Sequence, residues 1–309
     1  MNPVVIKFGG YQKPASIQNR AAARFGEILI AKLGDRVVFE LVGDVLALGR
    51  GSGDLLPMVE RGELSCCYIS TVRFTGWVPE IKLLELPFVV KSRPSIIKAL
   101  NGGLGDYLKQ RVHETTPYRV LGFWDNGFRH FSNRVRPIRA PADCRGLRIR
   151  TQMSELHGEV FSTLGFEPVP ADIKEFAAEI AGDKFQAQDN PLTNIYNFGV
   201  HNHHRYITLS GHFFGASAMA FNENEYQSWP ADVREAVDAA ALDATAFQHQ
   251  LAAAEDAEIL AKLNPSDNDV ISLTADEHAA FVNAVQPVLA KSRQELDPRL
   301  FAWLDAVLH

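Results

Sequence analysis

From Val233 to Leu263 the chain carries neither glycine nor proline, and alanine fills much of the run. Alanine is the best helix former, and Trp229-Pro230-Ala231-Asp232 supplies a start signal just ahead of it. About thirty residues at ~1.5 Å each make a helix of roughly 45 Å. That is longer than a typical lobe diameter and long enough to cross two lobes. The 309 residues are ample for two cores. Acids along the run read as the polar face of an amphipathic helix.

The opening supports an α/β architecture. Val4 to Phe8 is an apolar strand broken by Gly9-Gly10, Ser16 starts a helix to about Leu33, and Gly34-Asp35 ends it. Val37 to Val42 is a second strand, so the start reads as βαβ with a parallel sheet. Loops at the carboxyl ends of such strands take ligands, which puts Tyr11 and Gln12 near a pocket. Gly49-Arg50-Gly51-Ser52-Gly53 lacks the spacing of a phosphate loop, and Ser52 capping a helix through Arg61 explains it better. Leu64 to Ser70 reads as a third strand, Ser92 to Leu100 and Leu104 to His113 as helices, and Tyr118 to Phe123 as a strand.

A second α/β unit follows between Trp124 and Ser210. It has a strand at Leu147 to Thr151, a helix at Ser154 to Leu164, a short strand through Val169 and a helix from Asp172 to about Ala181. The apolar strand His212 to Asn222 returns to the first lobe, and Ala275 to His309 reads as two helices finishing the second. The expected fold class is α/β with two discontinuous lobes. Residues 1–123 and 212–250 make lobe I, and residues 124–211 and 251–309 make lobe II.

Chemistry concentrates between Arg129 and Arg150, where seven arginines and His130 share the stretch with a single acid, Asp143. A guanidinium fork can grip a carboxylate with two parallel bonds, so the stretch suits an anion site; a solvated basic face is the alternative. On the strand at Leu147 to Thr151, Arg148 and Arg150 point to one side and Leu147 and Ile149 to the other. The chain as a whole has a net charge of −6, which excludes the broad basic footprint of a nucleic-acid binder. No apolar run reaches the ~18 residues a membrane span needs. Cys66-Cys67 and Cys144 suggest no disulfide framework and read as small buried hydrophobes. His201, His203 and His204 lie at no recognisable zinc spacing. No metal or cofactor is expected.

Five ordered blocks resemble one known family: VPEIKLLELPFVVK at Val78 to Lys91, GFWDNGFRHFSN from Gly122, GLRIR ending at Arg150, QDNPLTNIY at Gln188 to Tyr196, and LSGH at Leu209 to His212. They are similar to the substrate-binding proteins of tripartite ATP-independent periplasmic (TRAP) transporters, DctP type. The resemblance runs from about Val4 to at least Leu242. It implies a periplasmic-binding-protein-like fold with a hinge and a long helix crossing both lobes. It also implies capture of a small organic acid in an interlobe cleft, delivery to TRAP membrane subunits, and no catalysis. By the same resemblance Arg150 forms the salt bridge to the ligand carboxylate, with Arg129 and Asn190 supporting it. His212, Phe213 and Phe214, which begin the returning strand, are expected to wall the cleft, and Tyr11, Ser70 and Trp124 are further candidates. At the position aligned to Ile173 the family often has an aromatic residue, and Phe185-Gln186-Ala187 replaces its usual V-D-G. Both departures bear on ligand choice. The implied protein is a periplasmic monomer that touches a membrane only through its transporter, with the export signal absent from the sequence in hand. An enzyme anchoring a carboxylate substrate on the same arginines is the alternative, and a third class is an interaction protein with no small ligand.

Overall fold

The computed structural model describes residues 3–306. They fall into two compact units, one of residues 3–78, 100–125 and 216–254, the other of 79–99, 126–215 and 255–306. The chain begins with β1 (Val4–Gly9), α1 (Ile17–Leu33), β2 (Val37–Val42), α2 (Leu55–Glu60) and β3 (Cys66–Ser70). β1 pairs in parallel with both β2 and β3, as the βαβ pattern requires. Ser16 caps α1 by accepting from the Asn19 amide, and Gly34 ends it with φ +54, where a side chain would be strained. Phe8, Phe25, Tyr68, Trp124 and Phe221 interlock as a ring cluster in the core of this unit.

Two helices follow, α3 (Arg93–Leu100) and α4 (Gly103–Thr115), and then β4 (Tyr118–Asn133). β4 runs ten residues beyond the Phe123 end expected for it. Gly122 and Gly127 look like breakers, but Gly122 is glycine for close packing: a Cβ there would lie 2.3 Å from Thr245 Oγ1. The second unit continues with β5 (Arg148–Thr151), α5 (Glu155–Thr163), β6 (Glu167–Pro170), α6 (Ile173–Glu179), β7 (Ala187–Pro191) and α7 (Leu192–Asn197). β5 lies between β6 and β7, parallel to both, and β7 is antiparallel to β4. Phe131, Phe161, Phe166 and Phe213, with the imidazoles of His157 and His212, form its core cluster.

β8 (Tyr206–Asn222) begins six residues before the expected His212. After it come α8 (Glu223–Ser228), α9 (Ala231–Lys262), β9 (Asp269–Ser272), α10 (Ala275–Ala284), α11 (Gln286–Glu295) and α12 (Pro298–Asp305). The early part of β8 pairs in parallel with β9, a four-residue strand too short to carry a periodic signal. Its later part pairs with β3. α9 has 32 residues, roughly 48 Å of helix, and contributes to both units. Three helices stand where two were expected, because Pro287 and Pro298 each start a new one. The expected terminus at His309 lies outside the described residues. Among the described residues no helix is long and apolar enough to cross a membrane. The three cysteines are free and buried, and burial pushes their thiols up.

Candidate functional site

The register of the second unit's sheet sorts its polar residues. Arg150 pairs with Gln188 of β7 and Val169 of β6, while β4 sets His130 against Asn190 and Ser132 against Gln188. Residues directly opposite share a face, and neighbours along a strand alternate. Arg150, Gln188, Asn190, Ser132 and His130 therefore lie on one face, and Arg129, Phe131 and Asp189 on the other. The two arginines expected to support one carboxylate leave the sheet in opposite directions.

Arg150 is 4% exposed; its Nε donates to the Ala171 carbonyl at 2.9 Å, and its guanidinium lies 5.7 Å from the centre of the Phe176 ring. Beside it runs a chain of amides and hydroxyls. Asn194 donates to Asn190 Oδ1, Asn190 Nδ2 donates to Gln188 Oε1, and Gln188 Nε2 donates to Ser132 Oγ. Ser132 Oγ is 3.0 Å from His204 Nδ1. Arg150 and Asn190 each stand one residue before the end of a parallel strand, the end at which α/β sheets take ligands.

On the opposite face Arg129 is engaged internally. It is 2% exposed, and its Nε donates to Asp189 Oδ2 at 2.5 Å while a terminal nitrogen donates to the Asp189 carbonyl at 2.6 Å. Burial alone would push the Asp189 carboxyl up. The Arg129 guanidinium, with His212 Nε2 at 3.4 Å, outweighs that and holds it well below the usual carboxylate range. His212 stacks on Phe131 at 4.2 Å, and burial pulls its pKa down to about 4 against the pull of Asp189. Phe213 stacks under His157 at 4.3 Å, and Phe214 packs edge-on to Phe128. His157 in turn holds Glu85 at 3.0 Å, a buried pair missed in the sequence because its members are 72 residues apart.

Ser210 Oγ lies 2.7 Å from His212 Nδ1, which completes a Ser–His–Asp array in composition. Ser210 is 1% exposed, and the carboxylate is neutralised by Arg129. With its carboxylate held in the buried Arg129 ion pair, the array is part of the unit's internal wiring.

Tyr11, Ser70 and Trp124 belong to the first unit. Tyr11 follows β1 and Ser70 ends β3, both at carboxyl ends of parallel strands. Trp124 is fully buried, stacked on Tyr68 at 5.6 Å with its indole nitrogen donating to Thr245 Oγ1. Tyr68 organises this corner: its hydroxyl accepts from the amides of Tyr11 and Gln12 and donates to Asn19 Oδ1. Gly10 has to be glycine, since a Cβ would lie 2.3 Å from the Tyr68 ring.

The remaining arginines of the basic stretch mostly staple loops. Arg134 donates to the Gly182 carbonyl, Arg136 to those of Asp143 and Arg145, Arg148 to those of Asp183 and Lys184, and Arg139 pairs with Glu277. Of the three clustered histidines, His204 is buried against Ser132, His201 stacks on Tyr196, and His203 is exposed. Among the described residues no group of three or more His, Cys, Asp or Glu is placed to hold a metal.

Residues 8–295 match the profile of the DctP family, described as bacterial extracellular solute-binding protein, family 7. The 2,3-diketo-L-gulonate-binding periplasmic protein of Escherichia coli is 25% identical over 91% of this chain and 84% of that protein. The C4-dicarboxylate-binding periplasmic protein of Rhodobacter capsulatus is 25% identical over 93% of this chain and 85% of its own. The fold matches a TRAP periplasmic solute-binding protein from Sulfurospirillum deleyianum, solved with bound succinate. The TM-score is 0.93 at 24% identity, over 99% of this chain and 100% of that one.

Proposed function

The chain belongs to the DctP family of bacterial extracellular solute-binding proteins, and on that premise we propose that it binds a small organic acid through Arg150 and hands it to the membrane subunits of a TRAP transporter. It is a periplasmic solute-binding protein of a family that performs no chemistry. The ligands named for its Escherichia coli and Rhodobacter capsulatus relatives are both carboxylates. The observation that carries the reading is the buried Arg150 guanidinium at the end of β5, on the same face as the Asn190 amide. A guanidinium supplies the charge and the fork, and Asn190 supplies an amide for a second oxygen. Arg129, fastened to Asp189, supports the site by fixing the end of β7 that carries Asn190. In the first unit, Tyr11 and Ser70, at the carboxyl ends of β1 and β3, are the candidates for further ligand contacts.

A thermal-shift screen over organic acids finds the ligand, because a ligand that binds only the native state raises its melting temperature. Hits confined to amines, neutral sugars or divalent cations would overturn the reading. With a confirmed acid, Arg150→Ala loses about 3–5 kcal/mol of binding, since the ligand carboxylate is desolvated without its partner. That is roughly 150- to 4,000-fold in affinity by calorimetric titration. Arg150→Lys recovers part of it, because an ammonium cannot reproduce the fork. Near-wild-type affinity in Arg150→Ala would sink the assignment.

A further inference from the structure

The second unit holds a cavity of about 430 Å³ that neither Arg150 nor Asn190 lines. Its lining includes Phe88, Lys91, Phe128, His130, Leu260 and His278, drawn from the loop before α3, from β4, α9 and α10. The size and the mixture of apolar walls with a few polar groups are those of a small-molecule site.

Three features make it a built site. Phe88 has φ +59 and is the only non-glycine residue with positive φ among the described residues. A bulky side chain held there is strained, and such strain persists at ligand clamps where the surroundings enforce it. Here they do: the Phe88 amide donates to the His212 carbonyl at 2.8 Å, its carbonyl accepts from Lys91 Nζ at 3.0 Å, and its ring meets His278 edge-on at 5.1 Å. His130, 8% exposed, accepts the Gly211 amide hydrogen on Nδ1, so its own proton sits on Nε2 as a donor. Burial pulls its pKa down to about 3, so the ring is a neutral donor. The one acid of the lining, Asp256, is already paired with Arg93 at 2.9 Å. The charge left to attract a ligand is the exposed Lys91 ammonium.

We propose that this cavity, whose His130 lies opposite Asn190 on the Arg150 face, is a second binding site for a small amphipathic monocarboxylate, one that does not depend on Arg150. Its apolar tail packs against Phe128 and Leu260, and its carboxylate faces Lys91 and the His130 donor.

The test is calorimetric titration of the Arg150→Ala protein with octanoate, which isolates this cavity from the carboxylate site on β5. One saturable site is expected. Hexanoate should bind about fourfold more weakly for each methylene removed. Leu260→Trp, a part-exposed position on α9, should fill the mouth and lower octanoate affinity at least about tenfold, and Lys91→Glu should lower it by several-fold. Should Leu260→Trp fail to fold by circular dichroism, the exposed Lys91→Glu decides alone. The proposal is overturned if octanoate shows no saturable binding. It is equally overturned if octanoate binds wild type but not Arg150→Ala, or if the folded cavity variants bind octanoate as Arg150→Ala does.

Discussion

The two faces of the second unit's sheet handle a buried arginine in different ways. On one, Arg129 meets an anion the chain supplies itself, Asp189, with His212 completing the contact. On the other, Arg150 rests on a neutral carbonyl and an aromatic ring, at the ligand end of a parallel strand beside a row of amides. Both guanidiniums are almost wholly buried, so burial alone does not mark a binding residue. The kind of acceptor and the strand end do. A carboxylate from within the chain holds Arg129 in place, whereas the surroundings of Arg150, amides and a ring at a strand end, suit the anion proposed to come from outside.

The largest effect expected from this contrast is on stability. Arg129→Ala leaves Asp189 buried and uncompensated and should cost about 3–5 kcal/mol in urea unfolding. Arg150→Ala removes a charge-assisted hydrogen bond and a cation–ring contact, on the order of 2 kcal/mol. Replacing the whole pair, Arg129→Met with Asp189→Leu, should restore most of the loss, since well-packed apolar groups substitute for buried ion pairs. Equal destabilisation by the two alanine variants would erase the distinction between the faces.

Acid probes both faces at an intermediate scale. Burial lowers His212 to about 4 on the Arg129 face, and lowers His204 to about 3 on the Arg150 face. An unfolded histidine titrates near 6.5, so between about pH 6.5 and 4 the unfolded chain holds protons that the native one lacks. Stability is therefore full above pH 6.5 and falls on acidification, by about 1.4 kcal/mol per pH unit for each histidine. Asp189, held low in the fold, adds its own loss only below about pH 4. Proton uptake on unfolding at pH 5 should drop by about one for His212→Asn and by about one for His204→Asn. No change in either variant would mean that its histidine is charged in the native state.

Much of the scaffold was legible because it rests on local signals. The βαβ opening, the α1 cap at Ser16 and the glycine- and proline-free α9 each follow from a few adjacent residues. β9 and the early start of β8 were not, since four residues carry too little periodicity and the two strands recognise each other across about sixty residues. The arginine stretch shows the same divide. Alternation on β5 correctly puts Arg148 and Arg150 on one side. The Arg129–Asp189 pair depends on β4 and β7 lying in a particular antiparallel register, which no local pattern encodes. Asp189 stood inside the QDNP block as its one acid. A buried arginine's need for a carboxylate was the signal that could have found it.

The smallest expected effect is the sharpest test of whether the Arg150 face holds a site or only a field. Arg148 shares that face and that strand with Arg150, two residues earlier, roughly 6.6 Å back from the ligand end. It is half-buried, and its fork reaches back to the carbonyls of Asp183 and Lys184, so it pins the turn before β7. Its charge is in part exposed and therefore screened at physiological salt, while a contact made by Arg150 is direct and desolvated. Arg148→Ala should cost less than about 1 kcal/mol in stability and weaken the ligand by no more than about fivefold. The same titration that finds a loss of hundreds-fold or more in Arg150→Ala measures it. A comparable loss in both variants would mean that β5 attracts anions through its summed charge, and the carboxylate would then have no single arginine as its partner.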